Sequence, residues 1–187
     1  SARNAKFKVH HDDNAHFNIG AFSAFGNDPI KFFRFFVDYH NNSHLALGTL
    51  GQDFSNAPPL AALGAEQRDA FLSLLEEVNS GKFKTIPELA VSIRSRIYTK
   101  TYNPDWGPVH YQAIGIKYLT EEGMKEPKFG SIELSAMLSL IPFTDFTKPK
   151  DQPFELRAVW AQGSMDQFIR IAELLEARIN HLNKLEL

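Results

Sequence analysis

The sequence predicts an α+β fold: a small, mainly antiparallel sheet, about four or five helices, and a long amphipathic helix at the C-terminal end. Three observations carry this. "HFNIGAFSAF" alternates in the manner of a half-buried strand. "SMDQFIRIAELLEARINHLNKLEL" opens on a capping box and repeats apolar residues at helical spacing. Strands and helices do not alternate regularly enough for a doubly wound parallel sheet, and no Gly-rich strand-to-helix loop of dinucleotide or P-loop type is present.

The elements follow in order. Lys6 to Val9 and His16 to Phe25 read as extended, with Phe17, Ile19, Ala21, Ser23 and Phe25 on one side. In "GNDPIKFFRFFVDYH", Asp28 suits a helix cap and Pro29 the first helical position, where its missing N–H is an orphan anyway. Phe32, Phe33, Phe36, Val37 and His40 then share one broad stripe, although "KFFRFFVDY" also satisfies a strand. Residues 41–50 are open between turn and strand, and "QDFSNAPPL" is loop. "GAEQRDAFLSLLEEVNSG" is a helix with Phe71, Leu72, Leu75 and Val78 as its core face and Gly81 to end it. Thr85 and Glu88 form a capping box ahead of Leu89, Ile93 and Ile97. "VHYQAIGIKYL" and "PFELRAVWAQ" favour strands, and "SIELSAMLSLIPF" a helix that stops before Pro142. In the last helix Ser164 with Gln167 caps the start, and Phe168, Ile169, Ile171, Ala172, Leu175, Ile179 and Leu182 line the apolar side.

The length, 187 residues, suits one domain, 1–187, with residues 1–15 expected to be a mobile N-terminal segment. There is no cysteine, which excludes disulfides, thiolate metal sites and cysteine nucleophiles. The formal net charge of −2 gives no global attraction for nucleic acid or for an anionic membrane. No apolar run approaches the ~20 residues of a membrane-spanning helix. Thiol-free chains tolerate any redox compartment; the cytoplasm is favoured only for want of a signal core in "SARNAKFKVHHDD". Phenylalanine stands out, with 16 against 5 tyrosines and 2 tryptophans. It fills cores or sticky interfaces and carries no polar handle.

Several stretches bear groups that do chemistry. His40 and His44 are four residues apart, the spacing that puts two imidazoles on one helix face and suits zinc, with Asp38, His110 or another acid as third ligand. Asn-Asn-Ser between them is poor helix sequence, and the Glu of the HExxH pattern is missing. "SHLALGTLG" around His44 and "VHYQAIGI" around His110 resemble the two motifs of the two-histidine phosphoesterases. The resemblance implies a hydrolase in which His44 and His110 act as base and acid on opposite sides of a phosphate ester. Ala46 and Gln112 stand where that family carries a hydroxyl.

"HHDDNAH", residues 10–16, is a polar cluster that binds transition metals weakly or is simply solvated. There is no GxSxG motif. Arg94, Arg96, Tyr98 and Trp106 interleave cations and aromatic rings within residues 94–106, a pattern suited to single-stranded nucleic acid; the acidic balance argues against it.

With no catalytic signature surviving, the expected function is a non-catalytic binding or assembly module. Its surface would be apolar and Phe-rich, or the C-terminal helix, and its partner another protein or a second copy. The alternatives are a hydrolase, phosphoesterase-like or metal-dependent, using His40, His44 and His110, and a nucleic-acid binder using residues 94–106. No cofactor is expected beyond zinc at His40 and His44.

Overall fold

The computed structural model describes residues 14–42, 65–98, 113–116, 119, 151–160 and 164–185. The expected strand at Lys6 to Val9, the polar cluster ahead of residue 14, the helix "SIELSAMLSLIPF" and the open stretch from residue 43 onward lie outside these residues.

The chain order is β1 (Asn14–Gly20), α1 (Ala21–Phe25), α2 (Pro29–Asn41), α3 (Ala65–Asn79), α4 (Ile86–Arg96), β2 (Ile114–Gly115), β3 (Pro153–Trp160) and α5 (Met165–Asn183). Among the described residues five helices and a small three-stranded antiparallel sheet make the architecture α+β. The three strands lie in the order β1-β3-β2, with β3 in the middle. Phe17 pairs with Leu156, Asn18 with Glu155 and Ile19 with Phe154; the register shifts between Ala15 and Phe17. On the other edge Ile114 pairs with Leu156.

The extended stretch ends five residues earlier than the alternation suggests. Residues 21–25 form a helix because their backbone donors find a distant acceptor. Asp151 accepts from the Phe22 and Ser23 amides at 2.7 and 3.1 Å and from the Ser23 hydroxyl, and Gln152 O accepts from the Ala21 amide at 2.9 Å. Gly26 closes α1 in the left-handed region at φ 63°, its N–H donating to Phe22 O.

α2 begins as its sequence dictates. The Asp28 carboxylate accepts from the Ile30 and Lys31 amides at 2.9 and 3.3 Å, and Pro29 takes the first turn. The competing strand reading loses because the helix buries more. Phe32, Phe33, Phe35, Phe36, Tyr39 and His40 are all buried, so α2 is wrapped nearly all round. Phe154 on β3 is the hub of this core, its ring 5.7 Å from Phe25, 5.7 Å from Phe32 and 5.4 Å from Phe35. Most of the described phenylalanines therefore fill the interior, and Phe22 and Phe168 are the large exceptions.

α3 turns inward the face that was expected, except that Leu74 takes the place of Leu72. Leu74 and Val78 are buried, Phe71 and Leu75 partly so, and Leu72 is exposed. Phe71 stacks on Phe33 at 5.5 Å, which sets the rotation of the helix. Gly81 follows at φ 72°, where a side chain would be strained. In α4 the Thr85 hydroxyl accepts from the Glu88 amide at 3.3 Å, while the Glu88 carboxylate reaches one residue further back, to the Lys84 amide at 2.8 Å. Leu89, Ile93 and Ile97 are fully buried.

α5 is capped by Ser164, whose hydroxyl accepts from the Gln167 amide at 3.3 Å. Its C-terminal half is tied down. Arg178 grips Asp38 with two guanidinium nitrogens, Nε at 2.8 Å, and Asn183 donates to Ala24 O at 2.8 Å. Arg34 donates to Leu185 O just past the end of the helix.

Candidate functional site

A groove of about 440 Å³ lies between α5 and the corner where β1 runs into α1. The β1–α1 wall is Phe17, Asn18, Ile19, Gly20, Ser23 and Ala24. The α5 wall is Phe168, Ala172, Leu175, Glu176, Ile179 and Asn180. At one end Phe17 and Phe168 stack with centroids 4.9 Å apart. The lining is mostly apolar with a few polar groups, the usual make-up of a binding surface.

The groove arises from how α5 is seated. Leu175, Ile179 and Leu182 are buried, and the polar ties at Arg178 and Asn183 hold that half of the helix against α1 and α2. The first turns are not covered to the same degree: Met165 is 70% exposed, and Phe168 and Ile169 are each 45% exposed. Phe22, on α1, is 59% exposed. These four are among the large apolar side chains that the fold leaves in water.

The sequence placed Phe168, Ile169, Ala172, Leu175 and Ile179 on the apolar side of a helix that was itself a candidate contact surface, and Phe17, Ile19 and Ser23 on one side of the extended stretch. It did not show that the two line one groove. A signal existed in the width of the α5 stripe. Met165, Phe168, Ile169 and Ala172 cover more of the helix circumference than docking on a sheet requires. The Asp151 brace behind the β1–α1 wall leaves no local signal at all, because its partners are 128 and 129 positions away.

The other predicted residues sit as follows. His40 is buried on α2, its Nδ1–H donating to Phe36 O at 2.7 Å and its ring 4.5 Å from that of Phe36. Burial pushes its pKa down to about 4, against the Phe36 carbonyl, which raises it. The ring is neutral at pH 7 and committed to the core. Asp38, considered as its fellow metal ligand, has its carboxylate held by Arg178 and by the Asn42 amide nitrogen at 2.6 Å. Among the described residues no group of three or more His, Asp or Glu side chains is placed to hold a metal ion. His44 and His110 lie outside the described residues.

The stretch that begins at Arg94 is engaged with its own fold. Arg96 donates to Glu77 at 2.7 Å and to the Ser73 hydroxyl at 2.9 Å, tying α4 to α3. Hydrogen bonds from Lys82 and then Arg96 hold the Glu77 carboxyl below its ordinary range. Tyr98 is buried and donates to Ile114 O at 3.3 Å; burial pushes its phenol above the usual tyrosine range. Arg94 is half-buried and also engaged. Trp106 lies outside the described residues. No helix among the described residues is long and apolar enough to cross a membrane.

No family model matches this chain, and neither a curated protein nor a solved structure does.

Proposed function

We propose that the protein is a non-catalytic binding module whose working surface is the groove between α5 and the β1–α1 corner. One observation carries the reading. The fold hides most of its described phenylalanines yet leaves Met165, Phe168 and Ile169 in water on the helix that forms one wall of an apolar groove. Burying such side chains against a partner is favourable by about 25 cal/mol per Å² of apolar surface, so leaving them exposed is maintained at a thermodynamic loss in the free protein. The walls are also braced from behind, by the Asp151 carboxylate on one side and the Arg178–Asp38 pair on the other. A braced groove loses little conformational freedom on binding.

Titration with the neutral, apolar fluorophore Nile red tests this. The expected result is saturable binding that is lost in Ala172→Glu and Phe168→Glu, with the circular dichroism unchanged. Equal binding by the wild type and both variants would place the apolar surface elsewhere and overturn the reading.

A further inference from the structure

We infer that the groove takes an amphipathic helical peptide of a protein partner, its apolar face turned inward and its edge carrying Lys or Arg. This rests on the groove being a binding surface, and adds what binds there. The shape suits a rod. The α5 wall runs from Phe168 to Ile179, about 17 Å at roughly 1.5 Å per residue, or three turns of a second helix laid alongside. The apolar lining, Phe17, Ile19, Phe168, Ala172, Leu175 and Ile179, has the residue types that accept i, i+3 and i+4 anchors.

The charges select the edge. No Lys or Arg is among the residues that line the groove, whereas Glu176 lines it directly. Asp166 and Glu173 are exposed on the same helix. The opposite wall is backed by Asp151, bonded to Ser23. Of the two arginines on α5, Arg178 is neutralised by Asp38, which leaves Arg170 alone against the acids. An acidic edge along the α5 wall of an apolar trough complements a cationic amphipathic segment and repels an anionic one.

The test uses the full chain and two labelled peptides of about eighteen residues, one of Leu and Lys and one of Leu and Glu in the same amphipathic order. Fluorescence anisotropy should show saturable binding of the Leu/Lys peptide, at least about tenfold tighter than the Leu/Glu peptide. Replacing Glu173 and Glu176 together by Gln should weaken the Leu/Lys peptide roughly two- to fivefold per carboxylate, and added salt should do the same. Both carboxylates are exposed, so the variant keeps its fold. Equal binding of the two peptides, abolished by Ala172→Glu, would overturn the charge selection and leave the apolar groove standing. Binding of neither peptide, with a dimer in light scattering that Phe168→Glu dissociates, would give the groove to a second copy and overturn the peptide. Binding of neither peptide, together with Nile red uptake indifferent to Phe168→Glu, would remove the groove reading itself.

Discussion

His40 stands one helical turn after Phe36, its ring against that of Phe36 and its Nδ1–H on the Phe36 carbonyl. Its folded pKa of about 4 lies below the ordinary 6.5, so the fold favours the neutral ring. The contribution to stability is complete above about pH 6.5 and is lost as pH falls toward 4, on the order of 3 kcal/mol in all. Urea unfolding at pH 7.5 and pH 4.5 should show the wild type losing more stability than His40→Gln, which keeps an amide donor but does not titrate. An equal loss in both would mean the ring is not buried.

Gly20 is a second such position. A Cβ there would stand 2.0 Å from Oδ2 of Asp151 and 2.5 Å from its Cγ, so the carboxylate has to swing away. Gly20→Ala and Asp151→Ala should each cost about 1–2 kcal/mol, the worth of a helix cap. The double variant should cost no more than the larger single, since both remove the same cap. Additive losses would mean that the cap survives in Gly20→Ala. The place of His40 on the apolar stripe of α2 was legible, although its spacing from His44 also pointed to metal. Gly20 was not, because nothing near it names Asp151.

Among the elements, what was legible is what is encoded within a few residues. The caps at Asp28, Thr85 and Ser164 are local, and each helix starts where its cap predicts. On α3 the face through Phe71, Leu75 and Val78 was legible and Leu72 was misplaced, because Leu72 and Leu74 are chemically alike and the Phe71–Phe33 stack decides which of them faces the core. α1 was missed because its cap comes from the other end of the chain. For α5 the apolar stripe and its use as a contact surface were read as expectations, but not which part of it stays open, which depends on how far β1 and α1 reach along it. The seat of α5 on α2 depends on the forked contact of Arg178 with Asp38, which also raises the arginine's pKa above its ordinary value. Arg178 remains 35% exposed, so water screens the pair. A double-mutant cycle of Asp38→Ala and Arg178→Ala should return a coupling of about 1 kcal/mol. A value near zero would leave Asn183 and the buried leucines to seat the helix alone.

For the molecule as a whole, the core is a phenylalanine cluster built around one central strand. Phe154 meets rings from α1 and α2 at once, so its loss opens a cavity that several elements share. Phe154→Ala should cost about 3–5 kcal/mol in denaturant unfolding. A loss under about 1 kcal/mol would mean the cluster collapses to refill the space. The fold class was legible because amphipathic periodicity and turn chemistry are properties of short windows. The pairing of β1 with β3 was not, because it joins residues more than a hundred positions apart.

That brace from Asp151 to α1 also sets an order in time. A five-residue helix is far shorter than the ~12–15 residues that hold together alone in water, and its amide donors wait for a carboxylate 129 positions away. Closing so long a loop is an entropic loss that must precede the reward. The expectation is that α1 forms among the last pieces, after the strands have met. Asp151→Ala should then leave the folding rate nearly unchanged and speed unfolding, a φ-value near zero in stopped-flow chevrons. A slowed folding rate would place the brace in the transition state. Because the same brace backs one wall of the groove, the groove is complete only when folding is.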